Sequence, residues 1–343
     1  MTQRGKRGED RGALAARRSA DKQGMTARGL ALLGMLAGMT FACGAPPPSA
    51  AAAPAAAAPV STAPFIVAIA YRDTAGTSVE PIARFTGAEW INTWPRGEDM
   101  NVPAPPLEQI PDAWLGRPVP RDWNVWSAGS TRQRVRIAGS KRGNGCEALI
   151  DLTADQATSA SLTMDEPLVA VDTNQRVGAI RGVTHSDPER ATLEPVIRAA
   201  FEANAQRAFD EDVVLGRRLS PDALAQRPVT IDYLVRPASS DGPVIYYFEA
   251  ARHVVDGGED GVAVGGWLRQ DAAGRWIAAD VKSRGLGGDG PPLPATVPLA
   301  TFPIAGRAYW LLELRGYEGV AASIVEITGS GVKEILNIAR AGC

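Results

Sequence analysis

Apolar and polar residues alternate in short runs along most of the chain after residue 64, and this period of two is typical of β-strands. Beyond residue 228, seven such runs are separated by mostly short connections that contain Gly, Asp or Ser. The predicted strands of this region are Val229–Val235, Val244–Ala251, Val262–Leu268, Arg275–Val281, Tyr309–Leu314, Val320–Ile327 and Val332–Ile338. Consecutive strands with short connections favour antiparallel pairing. We therefore predict a mainly β fold, an antiparallel meander that is sandwich- or propeller-like.

The region before residue 186 has the same pattern with more interruptions. Its predicted strands are Phe65–Tyr71, Val79–Phe85, Trp90–Trp94, Arg134–Ile137, Ala148–Leu152, Leu168–Val171 and Val177–Ile180. Residues 95–130 are rich in proline, and because proline has no backbone N–H and a fixed φ, no regular structure is predicted there. The segment Gly143-Asn144-Gly145 predicts a hairpin turn.

One segment follows the helical period instead. Apolar residues recur at three- and four-residue spacing from Val196 to Phe209, which predicts an amphipathic helix. Asp187 and Pro188 are typical of a helix start, so the helix is placed at 188–209. Pro195 leaves open whether the first turns belong to the same helix. A second, short helix is predicted to begin at Ser220-Pro221-Asp222.

An uncharged run of 14 residues, from Gly29 to Ala42, follows a basic stretch and ends at Cys43. A membrane-spanning helix needs about 20 apolar residues, so this run fits the apolar part of a signal peptide better. The segment Thr40-Phe41-Ala42-Cys43 resembles the lipobox of bacterial lipoproteins, although Phe41 is bulkier than the small residue usual at that place.

The lipobox resemblance implies that residues 1–43 are a signal peptide and that Cys43 becomes the lipidated first residue. Ordinary cleavage near Ala42 and a retained anchor are the alternatives. A start at Met25 would give a signal peptide of ordinary length. Between Gly44 and Pro64, 16 of 21 residues are Ala or Pro, which predicts a disordered tether at residues 44–64.

Residues 65–343 are left as a β-rich globular region, either undivided or made of two subdomains, 65–185 and 186–343. After residue 43 the chain has 28 basic and 35 acidic residues. This balance of −7 argues against nucleic acid as a partner, since nucleic-acid-binding domains carry a basic excess.

The cysteines fit an oxidising compartment. If Cys43 carries a lipid, Cys146 and Cys343 remain as an even pair, and we expect them to form a disulfide. Two separate reduced thiols are the alternative.

Candidate catalytic chemistry is sparse in the sequence. With His185 and His253 as the only histidines and no His/Cys ligand cluster, no metal site and no cofactor are predicted. His253 shares one face of a predicted strand with Glu249 and Tyr247. This face is interpreted either as a carboxylate–histidine pair or as a half-exposed sheet surface.

The tryptophans are the candidate ligand-binding residues. Five of the eight lie between positions 90 and 126: Trp90, Trp94, Trp114, Trp123 and Trp126. Indole rings held by prolines can form a platform for a sugar or peptide, where flat apolar faces meet a few polar anchors. The alternative interpretation is that these indoles fill a core.

These features favour a lipid-anchored cell-envelope protein with a non-enzymatic binding or structural role. Its expected partners are the membrane, through the lipid on Cys43, and an envelope protein or polymer. Gly44 directly after the cysteine favours the outer membrane where there are two membranes. The alternative function is a secreted hydrolase that uses carboxylates on an envelope or extracellular polymer.

Overall fold

The predicted mainly β, antiparallel fold is confirmed, and its sheets are barrel-like. The computed structural model describes residues 63–73, 76–95, 103–126, 131–143, 150–162, 166–211, 220–239, 244–254, 260–287, 293–316 and 319–342. The strands are β1 (Phe65–Asp73), β2 (Gly76–Phe85), β3 (Trp90–Ile91), β4 (Asp122–Trp126), β5 (Arg132–Arg142), β6 (Ile150–Ala154), β7 (Leu168–Val171), β8 (Gly178–Gly182), β9 (Thr230–Pro237), β10 (Tyr246–His253), β11 (Gly261–Gln270), β12 (Trp276–Leu286), β13 (Thr296–Ile304), β14 (Arg307–Arg315), β15 (Gly319–Ile327) and β16 (Val332–Gly342). The helices are α1 (Asp112–Leu115), α2 (Gln156–Ser159), α3 (Pro188–Glu211) and α4 (Pro221–Ala225), with a 3-10 turn at Leu107–Gln109.

The first sheet closes into a six-stranded barrel. Its strands follow the order β1-β7-β4-β5-β6-β2, and β2 pairs again with β1, while β3 extends β2. Strand β1 is buried on both faces: Ile66 and Ala68 lie in the cluster that fills the barrel, and Phe65 and Val67 lie in the cluster outside it. A strand covered on both sides is apolar without alternation, which explains the continuous apolar run at its start.

The second sheet has nine strands in the order β12-β11-β10-β9-β8-β13-β14-β15-β16. The sheet curls so far that its two edge strands, β12 and β16, come into contact. Asp280 of β12 accepts a hydrogen bond from the backbone N–H of Val332 at the start of β16, at 2.9 Å. The convex side of β10–β12 packs against α3, and the convex side of β13–β16 packs against the barrel. The concave side encloses an aromatic cluster that includes Trp267 and Trp310.

A buried ion cluster joins the barrel to the curled sheet. Arg340 of β16 donates to Glu80 of β2 at 2.8 Å and to Glu313 of β14 at 2.9 Å, and Glu313 also pairs with Arg315. Burial alone would lower the pKa of Arg340, but the two carboxylates outweigh it and raise that pKa. Arg340 therefore stays charged and holds the two sheets together through both carboxylates.

Two strands were not predicted from the sequence. Strand β13 contains Pro298 and Pro303, and strand β4 lies in the stretch that was expected to lack regular structure. In β13 the register shifts between Pro298 and Ala300, so the residue without an N–H stands at an irregularity of the ladder. The hairpin to β14 uses Ala305 and Gly306, both at positive φ, in a two-residue turn that lacks the usual Asn-Gly signal.

The predicted amphipathic helix is confirmed as α3, which continues through Pro195 without a break. Its buried side chains include Leu193, Ile197 and Phe201, which pack on the sheet. Asp187 does not cap the helix as expected, because its carboxylate accepts hydrogen bonds from Thr184 upstream. The short helix predicted at residue 220 is confirmed as α4.

Several sequence predictions concern residues outside the described ranges. They are the signal segment 1–43 with its lipidation at Cys43, the tether up to residue 62, and the disulfide between Cys146 and Cys343. Within the described ranges, no helix combines the length and apolar character that crossing a membrane requires. The division into subdomains 65–185 and 186–343 stays a prediction.

Candidate functional site

The concave side of the nine-stranded sheet contains a cavity of about 320 Å³, and we call it the concave cavity. Its walls come from β10–β12 on one side and from β13–β16 on the other, so it exists because the sheet curls. The lining residues are Tyr247, Glu249, Gly265, Gly266, Trp267, Asp280, Lys282, Ser283, Arg284, Ala295, Thr296, Leu312, Leu314, Ser323, Val325, Val332 and Glu334. Its size is at the lower end of the range for small-molecule sites.

The floor of the concave cavity is aromatic. Trp267 packs edge to face against Trp310, with ring centroids 5.0 Å apart, and against Tyr247 at 5.1 Å. Gly265 pairs with Glu249 across the strands, and a Cβ at Gly265 would lie only 3.0 Å from the Tyr247 hydroxyl oxygen. The glycine therefore provides the space in which Tyr247 and Glu249 meet.

Glu249 is a buried carboxylate whose hydrogen-bonding capacity is filled. One oxygen accepts from the Tyr247 hydroxyl at 2.7 Å and from the Thr296 N–H at 2.9 Å. The other accepts from the Arg284 guanidinium at 2.7 Å and from the Ala295 N–H at 3.1 Å. With four donors around its carboxylate, Glu249 acts here as a fixed anchor for β12 and the start of β13.

The Tyr247 hydroxyl is held in its protonated form. Burial raises the pKa of Tyr247 well above its ordinary value, and the neighbouring Glu249 charge raises it further. The hydroxyl therefore donates to Glu249 and does not act as a base.

Lys282 and Ser283 are the polar groups of the cavity that the protein leaves without partners among the described residues. Lys282 is exposed, and its ammonium has no ion pair or hydrogen bond in the described part of the chain. The Ser283 hydroxyl oxygen is buried and lacks a hydrogen-bond partner there. The acidic side chains are engaged instead, since Asp280 accepts from the Val332 N–H and Glu334 accepts from Asn337 at 3.2 Å.

The position of Asp280 depends on a β-bulge. The register of β11 and β12 shifts between Gly265 and Trp267, and Asp280 at that irregularity has a φ of 49°. Asp tolerates this left-handed conformation better than most residues. The bulge turns the Asp280 carboxylate towards β16, where it closes the two edges of the sheet over the cavity.

Three of the five candidate tryptophans are core residues. Trp90 packs between barrel and sheet against Phe302, whereas Trp94 and Trp123 belong to the cluster that fills the barrel. Their exposures are 5%, 4% and 0%. Because no face of these indoles is open, they offer no platform to a ligand, and the core interpretation applies to them.

The other two tryptophans are partly buried at separate places. Trp114 packs edge to face on Trp94 at 5.6 Å, while Trp126 packs against the cluster between barrel and sheet. Trp126 lines a second, smaller groove together with Tyr233. The five indoles therefore do not converge on one surface, and none of them lines the concave cavity.

His253 does not pair with Glu249. Its Nε2 lies 3.8 Å from a carboxylate oxygen of Asp232, and its Nδ1 is buried without a partner among the described residues. Glu249 and Tyr247 are buried, at 2% and 6% exposure, so the interpretation of this strand face as half-exposed is wrong for both. In the described ranges, no three His, Cys, Asp or Glu side chains are grouped closely enough to hold a metal ion.

The sequence analysis missed Glu249, Lys282 and Arg284 as members of one site. Lys282 and Arg284 stand at alternate positions of β12 and therefore face the same side, but they lie beyond the predicted strand Arg275–Val281. Whether that side was concave or solvent-facing depended on the curling of the sheet. The curling joins strands that are far apart in sequence, so a local pattern does not contain it.

In comparisons with known proteins, no family model, no curated protein and no solved structure matches this chain.

Proposed function

We propose that this chain is a lipid-anchored cell-envelope protein with a non-enzymatic binding role, and that the concave cavity takes a small molecule with an apolar body and one anionic group. The observation that carries the proposal is that an aromatic floor lies beside a cation, Lys282, that has no partner among the described residues. Binding sites combine mostly apolar walls with a few placed polar groups, and the cavity has this composition.

The charges of the cavity support an anionic group on the ligand. Glu249 and Arg284 neutralise each other at 2.7 Å, and the Asp280 carboxylate is engaged by the Val332 N–H. Lys282 remains as the cation that no carboxylate of the described residues neutralises. A carboxylate or sulfonate on the ligand would pair with Lys282 while its apolar part contacts the Trp267 side of the cavity.

The geometry of Glu249 favours binding over the carboxylate hydrolase. A general acid or base must exchange a proton with the substrate, so its carboxyl group needs an open coordination site. Glu249 has four donors around it and only 3% of its side chain is exposed. These contacts therefore support a structural role for Glu249 in a binding site.

The location of the protein is inferred from the sequence. The charged head, apolar run and Cys43 support lipidation, and the Ala/Pro-rich residues 44–64 support a tether between the lipid and the globular region. We expect strong partitioning of the wild-type protein into detergent phase and none for Cys43→Ser. A Cys43→Ser protein that still partitions into detergent would contradict the lipid anchor.

The binding proposal is tested with anilinonaphthalene sulfonate, a fluorescent probe with an apolar ring system and one anionic group. Titration of the wild-type globular region, residues 63–343, should give saturable fluorescence. Lys282→Gln removes the charge and keeps most of the length of the side chain, so it should weaken the binding of the probe about five- to tenfold. Lys333→Gln is the matched control, because Lys333 is exposed on β16 and does not line the cavity.

The two variants decide the proposal together. Weakening by Lys282→Gln with no effect of Lys333→Gln supports it. Equal affinity of the wild type and Lys282→Gln would overturn it, as would equal weakening by both lysine variants, which would indicate nonspecific attraction.

A further inference from the structure

The concave cavity lies at the place where the two edge strands of the curled sheet, β12 and β16, face each other, and we call this place the seam. The cavity wall takes four residues from β12, including Lys282, and takes Val332 and Glu334 from β16. Strand β12 pairs with β11 and β16 pairs with β15, and neither has a second neighbour among the described strands. An edge strand presents alternate backbone N–H and C=O groups to its open side, so another chain can pair with it there.

The directions of the two edge strands favour one orientation for such a chain. Every pairing between neighbours in the nine-stranded sheet is antiparallel. Eight reversals from β12 to β16 leave these two strands running the same way, so a segment that runs against β12 also runs against β16. Antiparallel pairs are slightly more stable per residue than parallel pairs. We therefore expect an extended segment in the seam to run opposite to β12.

The seam is closed at one end by Asp280. Its carboxylate accepts from the Val332 N–H at 2.9 Å, and it lies so close to Gly331 that an added Cβ there would be 3.0 Å from a carboxylate oxygen. A segment that runs opposite to β12 passes residue 286 first and reaches Lys282 last, directly before this closure. Because the closure blocks the way onward, the end of the segment that reaches Lys282 has to be a C-terminus.

The chemistry at the closed end suits a C-terminal residue. Lys282 is exposed, and its ammonium has no partner among the described residues, so it can pair with a terminal carboxylate. A residue opposite Lys282 directs its side chain to the same face of the sheet, which is the face of the cavity and of Trp267. Asp280 and Glu334 also line the cavity and are exposed, so they disfavour a second acidic group on the segment.

We propose that the seam binds the extended C-terminus of a partner protein whose last residue is apolar. The backbone of this segment pairs with β12 beyond Asp280, the terminal carboxylate pairs with Lys282, and the last side chain enters the concave cavity. Main-chain pairing along a sheet edge supplies affinity, and a pocket for a side chain supplies specificity. The inference rests on the proposed function, because it names the class of molecule that provides the apolar body and the anionic group.

The test uses the hexapeptide Thr-Val-Thr-Val-Thr-Phe with a free C-terminus and a fluorescent label at its N-terminus. Fluorescence polarisation should show saturable binding to the complete chain. Amidation of the C-terminus should weaken binding about five- to tenfold, and Lys282→Gln should weaken the free acid by a similar factor without affecting the amide. Lys333→Gln is the matched control and should leave both affinities unchanged, because Lys333 is exposed on β16 and does not line the cavity. Equal affinity of the acid and the amide would overturn the proposal.

Methylation of the peptide backbone tests the strand pairing. In an extended segment, the N–H groups of alternate residues face the same neighbouring strand. One peptide is N-methylated at its second and fourth residues, and another at its third and fifth. The set that faces β12 should lose at least tenfold in affinity, and more than the other set. Unchanged affinity of both methylated peptides would show that no backbone pairing occurs and would overturn the proposal.

A third ligand separates this inference from the proposed function. 3-Phenylpropionate carries the ring and the carboxylate of the last residue without the peptide backbone. It should displace the sulfonate probe but bind at least tenfold more weakly than the hexapeptide. If it displaced the probe and bound as tightly as the hexapeptide, the peptide inference would be wrong and the proposed function would stand. Failure of both the sulfonate probe and 3-phenylpropionate to bind would reject the proposed function and this inference with it.

Discussion

The barrel and the curled nine-stranded sheet are both antiparallel, and both enclose side chains, but they enclose different chemistry. The barrel is filled by apolar side chains such as Trp123, Val135 and Leu152. The curled sheet encloses the Glu249–Arg284 ion pair and a cavity with the exposed Lys282 at its wall. A closed interior excludes water, so unpaired charges there are costly, whereas in the curled sheet the buried Glu249 charge is paired with Arg284 and Lys282 stays exposed to solvent. The comparison suggests that the barrel supports the structure and that the curled sheet carries the site.

The largest effect should come from emptying the barrel. Trp123 is fully buried, and its indole N–H donates to the Pro120 carbonyl at 3.0 Å. We expect Trp123→Ala to lower the free energy of unfolding by about 3–5 kcal/mol, measured by denaturant titration. Trp114→Ala, at a partly buried indole, should cost clearly less. A cost below about 1 kcal/mol for Trp123→Ala would mean that the barrel core is not what stabilises this region.

In the curled sheet, breaking the buried ion pair should have the next largest effect. Glu249→Gln removes the charge that neutralises Arg284 and should cost about 2–4 kcal/mol, below the figure for fully buried pairs because 22% of the Arg284 side chain is exposed. The double variant Glu249→Gln with Arg284→Met should recover part of that loss, since no unpaired charge remains. Additive losses in the double variant would show that the two residues are not coupled.

The barrel and the curled sheet also differ in how much of their structure the sequence predicts. The alternation of apolar residues predicted most of the strands, and the apolar run from Phe65 predicted the first of them. Strand β13 was missed because Pro298 and Pro303 interrupt the pattern, and because the turn at Ala305 lacks a strong signal. A local pattern states which residues share a face, and it does not state which face becomes concave.

The candidate site shows the same limit. Tyr247 and Glu249 were correctly placed on one face of a strand, but their partners Arg284 and Thr296 lie 35 and 47 residues further along the chain from Glu249. The tryptophans were the most visible aromatic residues in the sequence, yet three of them fill cores. The tryptophans that stood out in the sequence are therefore mostly core residues, and none of the five candidates lines the concave cavity.

Alkaline pH should destabilise the curled sheet through its tyrosines. The pKa of Tyr233 is about 12 in the folded protein, and the pKa values of Tyr246 and Tyr247 are also raised, with burial as the first cause. Between pH 10 and 12 the unfolded chain loses the Tyr233 proton while the folded chain keeps it, so stability falls as pH rises. Tyr233→Phe should reduce this loss by about 2 kcal/mol, measured by urea unfolding at several pH values. An unchanged pH dependence would show that Tyr233 titrates normally.

A smaller effect is expected where the two edges of the curled sheet meet. Asp280→Ala removes the acceptor of the Val332 N–H and places Ala at a φ of 49°, so we expect a loss of about 1–2 kcal/mol. Asp280→Asn keeps a side-chain oxygen and tolerates this φ, so it should cost less. Hydrogen exchange at Val332 should become faster in Asp280→Ala and not in Asp280→Asn. Slow exchange in both variants would mean that other contacts hold the edges together.

The smallest effect on stability should come from Lys282. Its ammonium is exposed and has no partner among the described residues, so Lys282→Gln should change the free energy of unfolding by no more than about 0.5 kcal/mol. The same variant is expected to lose most of the affinity for the anionic probe, whereas Trp123→Ala should lose stability first. A residue in the wall of the cavity should affect binding and not stability, whereas a residue in the core should affect stability first. If Lys282→Gln destabilised the protein by more than about 1 kcal/mol, the ammonium would have a structural partner, and the contrast between the two interiors would no longer hold.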